Sequence, residues 1–396
     1  THFEIIIVMD KLGLTFGSVT AYHAPPWLTA SSIPPSVIPS EKVHLGNFPT
    51  PIHRIDFPDT SDCGLEFFVK RDDLASFDLS GNKVRKLEFL LAEAKRSDKN
   101  YDCVITVGGL QSNHARATAV AARQVGLDPY LILRRPLNKD GTDDDIGLTG
   151  NLLFNRMVGA DIRLITPTNY ARLGSERVCE QLAEELREQG RNPYVIPLGG
   201  SNPLGDFGYM QCVEEIRATG VHFDHIVFAC GSGGTAAGLS LGVKLSGMEN
   251  TQVHAIGVCD SPEYFYDHIT ASAAELGLTA DTLGVPVQEL LHIHHGEGLG
   301  YAHSTPEELA YIIRVSQSTG VIFDPVYSGK GLYHFTQKVL PEDLAKEPDN
   351  RVFRPGQKVL FIHTGGIVGL YDKESEVVPL LPTAKVSRMR AYPAVK

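Results

Sequence analysis

A lysine heads the apolar face of a helix candidate in this chain of 396 residues. In the stretch SGNKVRKLEFLL, residues 80–91, Ser80 or Asn82 can cap a helix, and good helix formers follow. At helical period Lys83 shares the face of Leu87, one turn later. Burial disfavours the charged form of an amine, and a neutral amine attacks carbonyl carbons. Lys83 is therefore a candidate nucleophile, unless its stem covers apolar surface and its ammonium group reaches water.

A glycine-rich turn follows an apolar strand in VFACGSGGTAAGLSLGVKL, residues 227–245. Around the helix start stand Gly231, Ser232, Gly233, Gly234 and Thr235. Free N–H groups and the helix dipole favour an anion there, and glycine lets a phosphate approach closely. Gly231, Gly233 and Ala236 also fit G-x-G-x-x-A, and Asp260 ends the next strand, as in a dinucleotide fingerprint. The turn predicts a phosphate site, for a nicotinamide dinucleotide or a monophosphate, with a merely tight turn as the alternative.

The lysine and the glycine turn together meet the requirements of pyridoxal 5'-phosphate (PLP). Its aldehyde needs an amine, its phosphate needs N–H donors, and its ring nitrogen needs a hydrogen-bonding partner. Lys86 adds a second cation that lowers the pKa of Lys83 further or neutralises a phosphate, and Asn82 adds a neutral amide. A nicotinamide oxidoreductase built on Gly231 and Asp260 would leave Lys83 unexplained.

A second strand–glycine–helix unit, CVITVGGLQSNHARATAVAARQV, begins at Cys103. Ser112 or Asn113 takes its N-cap, so the free N–H groups there form a carboxylate clamp or serve a simple helix cap. Farther along, Tyr327 stands between Asp-Pro and Ser-Gly. Such a turn presents a phenol to a site, with an ordinary aromatic anchor as the alternative.

Strands and helices alternate after residue 65, which predicts an α/β fold with mostly parallel sheets. The strand candidates are residues 66–70, 103–108, 129–134, 161–165, 193–198, 225–230, 253–258 and 358–364. We expect a small α/β domain at residues 85–200, inserted into a large cofactor-binding domain formed by residues 1–84 and 201–396.

The composition excludes several classes of protein. The net charge of -11 argues against general binding to nucleic acid or to an anionic membrane, and no segment is long and apolar enough to span a bilayer. Residues 1–30 do not read as a transit peptide. The six cysteines are scattered without a C-x-x-C pair, which indicates an intracellular, reducing compartment. HIHHG, residues 292–296, follows no zinc spacing, so we expect no metal site; DGTDDD, residues 140–145, predicts a solvated loop.

Six stretches follow one another along the chain: VKRDDLASFDLSGNKVRKLEFLLAEA, GGLQSNHARATAVAAR, GGSNPLGDFGY, ACGSGGTAAGL, DPVYSGKG and FIHTGG. Together, and in this order, they resemble the D-cysteine desulfhydrase / 1-aminocyclopropane-1-carboxylate (ACC) deaminase family. The resemblance covers most of residues 45–372. It implies two three-layer α/β/α domains of the tryptophan-synthase-β type (fold type II), bound PLP, a small amino-acid substrate and a homodimer.

The resemblance also implies roles for single residues. Lys83 corresponds to the lysine that binds the cofactor covalently, residues 231–235 to the phosphate cup, and Lys86 to a further phosphate contact. Asn113 corresponds to the asparagine that hydrogen-bonds the ring oxygen. Gln111, Ser112 and His114 lie where the substrate carboxylate and the reacting face are handled, and Tyr301 and Tyr327 match the two active-site tyrosines.

Two positions separate the branches of this family. ACC deaminases typically carry Glu after the second tyrosine and Leu in H-x-G-G, where this chain has Ser328 and Thr364. A hydroxyl leaves the pyridine nitrogen largely neutral and weakens the electron sink. This favours elimination from D-cysteine, giving pyruvate, hydrogen sulfide and ammonia, over ACC deamination. Cleavage of L-cysteate or another β-elimination on the same scaffold stays open as an alternative. A base must remove the α-proton of the substrate. The first candidate is Lys83, once the substrate has displaced it from PLP, and a tyrosine or Ser112 is the second. The compartment is cytoplasmic or organellar, mitochondrial for a plant or alga.

Overall fold

The structure, a computed structural model, describes residues 17–137 and 146–381. The predicted acidic loop at 140–145 and the ends of the predicted large domain, residues 1–16 and 382–396, lie outside these ranges. The strands are β1 Val19–Ala21, β2 Glu41–Val43, β3 Ile52–Arg54, β4 Glu66–Lys70, β5 Cys103–Gly109, β6 Asp128–Arg134, β7 Asp161–Ile165, β8 Pro193–Val195, β9 His225–Cys230, β10 Gln252–Gly257, β11 His292–His295 and β12 Lys358–Ile362.

Helices connect most of these strands, because apolar residues recur at helical period in the segments between them. The α-helices are α1 Pro26–Thr29, α2 Lys83–Ala94, α3 Asn113–Gln124, α4 Asn151–Met157, α5 Pro167–Leu173, α6 Ser175–Glu188, α7 Pro203–Ala218, α8 Gly234–Leu245, α9 Pro262–Glu275, α10 Ala280–Leu283, α11 Pro306–Thr319, α12 Ser328–His334, α13 Leu340–Leu344 and α14 Glu374–Val377. A π-helical turn at Phe335–Val339 joins α12 to α13. Within the described ranges, no helix is long and apolar enough to cross a membrane.

Two mostly parallel sheets organise the chain, which confirms the α/β fold. One sheet has the order β11-β10-β9-β12-β4-β3, with only β3 antiparallel to its neighbour. The second has the order β7-β6-β5-β8 and is wholly parallel. Strands β1 and β2 form a separate two-stranded antiparallel sheet. All eight predicted strands are confirmed. The HIHHG run forms β11, where His294 Nε2 lies 3.1 Å from His254 Nδ1, and the described residues contain no cluster able to hold a metal.

Both faces of each sheet are covered, because alternate residues of a strand pack into different cores. In β12, Leu360 and Ile362 join one cluster of buried side chains, and Val359 and Phe361 join another. In β5, Val104 faces one cluster while Ile105 faces another. Full burial of such side chains stabilises the fold by roughly 1.5–3 kcal/mol each. The proposed limits of the two domains stay a prediction.

The carboxyl ends of strands from both sheets face one cavity. β5 ends there at Gly109, and the turns after β9, β10 and β12 contribute further wall residues. Helix α2 begins there at Lys83, and Ser112 and Gly233, the N-cap residues of α3 and α8, also line it. Loops at the carboxyl ends of parallel strands are where open α/β sheets bind ligands.

Candidate active site

The cavity has a volume of about 890 Å³ and joins Lys83 to the glycine turn. The turns after three strands of the six-stranded sheet line it with Gly231, Cys259, Asp260, Thr364 and Gly365. The four-stranded sheet contributes Gly108 and Gly109 from the end of β5. The site is therefore assembled from distant parts of the chain.

Lys83 is the first residue of α2 and is half-buried against the cavity. Asn82 takes the N-cap position, but its side chain makes no capping bond and donates instead to Thr235 Oγ1, at 3.2 Å. Asn82 N also donates to Thr364 O, at 3.0 Å. Gly81 has a φ of +89° with Thr364 O where a side chain would begin, so only glycine fits there. These contacts hold the lysine at the meeting point of α2, α8 and β12.

Electrostatics make Lys83 a reactive amine. Burial lowers the pKa of Lys83 well below its ordinary value, and the neighbouring charge of Lys86 lowers it further. Removal from water disfavours the ammonium form, and no carboxylate within the described residues forms an ion pair with Lys83. A neutral amine at this position is a nucleophile toward an aldehyde.

The glycine turn forms a cup whose shape excludes side chains. Gly231, Ser232, Gly233 and Thr235 line the cavity. Gly233 has a φ of +88°, and a Cβ on it would collide with the ring of His268. Gly234 lies behind the wall, and its N–H donates to Ser201 Oγ, at 3.2 Å. The remaining N–H groups at the start of α8 face an opening suited to an anion.

Lys86 supports this cup from behind and does not line the cavity. Its Nζ lies 3.3 Å from both Gly199 O and Ser201 Oγ, and the Ser201 hydroxyl lies 2.7 Å from that of Ser232. Burial lowers the pKa of Lys86, against the attraction of Asp206. Lys86 is therefore linked to the cavity through the hydroxyl of Ser201. Its contact with a phosphate stays a prediction.

These residues fit a cofactor that carries an aldehyde at one end and a phosphate at the other. Lys83 supplies the amine, and the cup supplies N–H and hydroxyl donors. His268 Nε2 is buried on the cup wall and has no hydrogen-bond partner among the residues that the structure describes. A Cβ on Gly231 would meet Tyr327 at 3.1 Å, so glycine keeps the space between them open.

The predicted carboxylate clamp lies at the start of α3. Ser112 is the N-cap and accepts from Ala115 N, at 3.1 Å, and Asn113 lines the cavity beside it. Gln111 turns away from the cavity: its side chain bonds Thr149 O at 3.0 Å and Asn151 N at 2.9 Å. Ser112 and Asn113 are thus placed for a substrate carboxylate, and the substrate contact of Gln111 stays a prediction.

His114 lines the inner wall and is almost fully buried. Its Nε2 lies 2.9 Å from the Thr106 hydroxyl, which itself donates to Ile196 O. Burial, followed by the charges of Lys83 and Lys86, lowers the pKa of His114 well below its ordinary value. His114 is therefore neutral at physiological pH.

Two tyrosines from separate loops meet in the cavity. The hydroxyls of Tyr301 and Tyr327 are hydrogen-bonded at 2.7 Å. Burial raises the pKa of both phenols, and for Tyr327 the neighbouring Tyr301 raises it further. The pair is protonated at neutral pH and holds a proton that it can give to a departing group.

A pair of hydroxyl groups lies just beyond the end of β12. Ser328 Oγ and Thr364 Oγ1 are 2.8 Å apart, and Thr364 N donates to Ser328 Oγ, at 3.0 Å. Thr364 lines the cavity, whereas Ser328 is fully buried behind it. A group that contacts Thr364 therefore meets a neutral hydroxyl.

The cavity also holds residues that the sequence alone does not single out. Ser201, in GGSNP ahead of α7, has a weak signal in its glycines and helix start. No sequence signal singles out His268, which lies on α9. Arg134 ends β6 and stacks over the rings of Tyr170 and Tyr301 at 4.5 and 5.9 Å. Its buried Nε has no hydrogen-bond partner in the part of the chain that the structure describes.

Comparison with known proteins agrees with this geometry. The profile of the pyridoxal-phosphate dependent enzyme family matches residues 43–365. The mitochondrial bifunctional D-cysteine desulfhydrase/ACC deaminase of Arabidopsis thaliana is 46% identical over 366 residues, covering 91% of this chain and 86% of that protein. The D-cysteine desulfhydrase of Serratia proteamaculans is 34% identical over 321 residues, covering 79% of this chain and 90% of that protein.

A solved structure of an ACC deaminase homologue superposes with a TM-score of 0.71 at 36% identity, covering 86% of this chain and 96% of the other. A threonine deaminase isoform from Solanum lycopersicum, at 13% identity and a TM-score of 0.54, shares the fold. The nicotinamide interpretation of Gly231 and Asp260 is therefore wrong, and PLP is the cofactor. The chain belongs to the pyridoxal-phosphate dependent enzymes of fold type II, within the D-cysteine desulfhydrase/ACC deaminase family.

Proposed function

We propose that this chain is a lyase that converts D-cysteine and water into pyruvate, hydrogen sulfide and ammonia. The observation that carries the proposal is the Ser328–Thr364 hydroxyl pair beside the cavity that Lys83 lines. The relatives named D-cysteine desulfhydrase support the choice of substrate.

The hydroxyl pair favours elimination because it is uncharged. When bound, PLP withdraws electrons from the α-carbon of an amino acid, and it does so less strongly when its ring nitrogen is unprotonated. Loss of a thiolate from the β-carbon needs less withdrawal than opening of a cyclopropane ring, since the leaving group takes the electron pair. The carboxylate of Asp324 is committed elsewhere: it accepts from the backbone N–H groups of Val326, Tyr327 and Ser328, at 2.7–3.0 Å.

Lys83 and the start of α3 handle the α-carbon. The substrate carboxylate binds the Ser112–Asn113 helix start, where free N–H groups favour an anion. Lys83 Nζ, whose pKa burial lowers, would take the α-proton, and the cofactor would supply the electron withdrawal when bound.

The tyrosine pair handles the sulfur. Because both phenols have raised pKa values, the Tyr301–Tyr327 pair keeps its protons until a thiolate develops beside it. One hydroxyl then gives a proton to the sulfur, and the 2.7 Å hydrogen bond lets the second stabilise the resulting phenolate.

ACC deamination is the second candidate function, favoured by the bifunctional name of the Arabidopsis relative. Initial rates with D-cysteine, L-cysteine, D-serine and ACC, measured in parallel by release of sulfide, pyruvate and 2-oxobutyrate, separate the candidates. We expect D-cysteine to have the highest kcat/KM, at least about tenfold above that of ACC. A higher kcat/KM for ACC, or no turnover of D-cysteine by the yellow holoenzyme, would overturn the proposal. Release of sulfite from L-cysteate tests the remaining alternative, a lyase that cleaves L-cysteate.

We also propose that the chain forms a homodimer. Phe77, Met157 and Tyr371 are 86%, 76% and 69% exposed, unusual values for apolar side chains. Arg116 contacts both Asn151, in the helix that ends at Met157, and the carbonyl of the residue after Phe77, so these two segments are neighbours. Light scattering after gel filtration checks this: we expect twice 43.2 kDa, and a monomer mass contradicts it.

We propose an intracellular, reducing compartment, mitochondrial if the source is a plant or alga. All six cysteines are free thiols, four of them buried. The Arabidopsis relative is named as mitochondrial, which supports an organelle. Localisation of the tagged full-length protein tests this.

A further inference from the structure

A buried arginine and a buried asparagine connect the lysine loop to the cavity wall. Arg116, on α3, is fully buried. It donates to the carbonyls of Asp78 and Ser80, in the loop that leads into Lys83, and from Nε to Asn151 Oδ1, at 2.7 Å. Asn151, the first residue of α4, is also fully buried and lies in none of the stretches that suggested a function.

Arginine fixes the direction of this hydrogen-bond chain, because a guanidinium only donates. Asn151 Oδ1 must therefore be the acceptor, which leaves Asn151 Nδ2 as the donor. That Nδ2 donates to Gln111 O at 2.9 Å and to Asn113 Oδ1 at 3.0 Å.

The direction set by Arg116 continues to Asn113. Since Asn113 Oδ1 accepts from Asn151, its Nδ2 is the end left for the cavity that Asn113 lines. Within residues 17–137 and 146–381, this Nδ2 has no protein acceptor. Reversal of the Asn113 amide would place two N–H donors against each other and leave a buried donor unpaired, which is costly.

We propose that Arg116 and Asn151 are positioning residues that orient the Asn113 amide, so that the cavity receives an N–H donor and not a carbonyl oxygen. The inference rests on the proposed function of the site and on the role that the family resemblance implies for the Asn113 side chain, a hydrogen bond to the ring oxygen of the cofactor. A donor there stabilises the ionised ring oxygen, whereas a carbonyl requires that oxygen to keep its proton. The protonation state of the ring oxygen determines which absorption band of the cofactor is populated.

The test is Asn151→Asp, which keeps the size of the side chain and its contact with Arg116 but removes the donor to Asn113. We expect the absorbance of the bound cofactor at neutral pH to shift from the visible toward the near-ultraviolet band. We also expect kcat/KM to fall by about tenfold. Asn113→Asp, which removes the same donor directly, shifts the bands in the same direction. An N151D holoenzyme with the band ratio and pH titration of the wild type would overturn the inference.

Two controls separate positioning from general damage. Asn155→Asp makes the same substitution one turn later on α4, at a buried side chain with no hydrogen-bond partner and no link to Asn113, and leaves the band ratio of the folded protein unchanged. In an Asn113→Ala background, N151D adds no further shift, because its effect passes through the Asn113 amide. An equal shift in N155D, or an additive shift in the double variant, would contradict the proposal.

Neutron diffraction from deuterated wild-type crystals provides a test that does not depend on whether N151D folds. We expect deuterium on the Asn113 atom that faces the cavity, and a bare oxygen there would overturn the inference. If the wild-type protein lacked the cofactor band or released no sulfide from D-cysteine, the proposed function would fail instead.

Discussion

Arg85 and Lys86 are neighbours on α2, and both are buried, but their electrostatic surroundings are opposite. Arg85 makes a two-pronged contact with Asp72, at 2.8 and 2.7 Å, and pairs with Glu215 at 2.7 Å. Lys70 also pairs with Glu215, at 2.8 Å. Burial alone would raise the pKa of Asp72, yet Arg85 lowers it to about 2. Every charge in this cluster has a partner.

Lys83 receives no such compensation, and for Lys86 the attraction of Asp206 is outweighed by burial. Within the described ranges neither forms an ion pair with a carboxylate, and burial lowers the pKa of both. The helix therefore carries a paired cation that supports the structure and, two residues earlier, Lys83, an amine that lines the cavity without a carboxylate partner among the described residues. Buried charge that is fully paired fixes geometry, whereas buried charge without a partner shifts its protonation toward the reactive form.

The largest expected effect comes from removal of the unpaired amine. Lys83→Ala eliminates the only amine among the described cavity residues that is placed for a covalent bond to the aldehyde, so kcat/KM with D-cysteine falls by at least about a thousandfold and the visible cofactor band disappears. Lys83→Arg is the matched control, because it keeps a cation that cannot become neutral, and we expect it to be equally inactive. Retained turnover and a retained visible band in K83A would show that Lys83 is not the nucleophile.

Removal of a charge partner from the paired cluster should instead affect stability. Asp72→Ala leaves Arg85 with Glu215 alone, and we expect the free energy of unfolding to fall by about 3 kcal/mol, measured by urea denaturation. The exposed pair of Asp161 with Arg163 offers a control: Asp161→Ala changes stability by less than about 1 kcal/mol. The folded fraction of D72A keeps the visible cofactor band. If Asp72→Ala and Asp161→Ala lowered the free energy of unfolding equally, burial would not strengthen the ion pairs of this cluster.

The sequence predicts the frame of the site better than its electrostatics. Continuous apolar runs between turns identify eight strands, whereas β1, β2, β3 and β11, of three or four residues, offer no such pattern. Lys83 and Gly231 are predictable because helical period and glycine spacing are local. The partners of Lys86, and the contact of Asn151 with Asn113, depend on packing between segments more than 30 residues apart. No local pattern records such contacts, nor which of two adjacent cations lies beside carboxylates.

A smaller effect is expected at the lysine behind the cup. Lys86→Met removes the donor to Gly199 O and Ser201 Oγ, so the Ser201 hydroxyl loses part of its orientation. We expect the Kd for PLP to rise about tenfold, measured by fluorescence titration of the apoenzyme. Lys244→Met, at the far end of α8, makes the same change in net charge and leaves the Kd unaltered. If K86M bound PLP as tightly as the wild type, Lys86 would have no part in the cup.

The smallest expected effect separates the two kinds of buried charge by pH. Lys83 has a folded-state pKa below its ordinary value of 10.5, so the unfolded chain binds more protons between those two values. The resulting destabilisation is fully present below the folded pKa and is relieved as the pH rises toward 10.5. Apo Lys83→Met should therefore be more stable than apo wild type at pH 7, with a difference that shrinks in alkali. Asp72 behaves oppositely: its pKa of about 2 gives stability that is present above the usual carboxyl range and lost in acid. Urea denaturation of both apo proteins at several pH values measures the difference. A stability difference independent of pH would mean that Lys83 is not desolvated, and its contrast with Arg85 would then vanish.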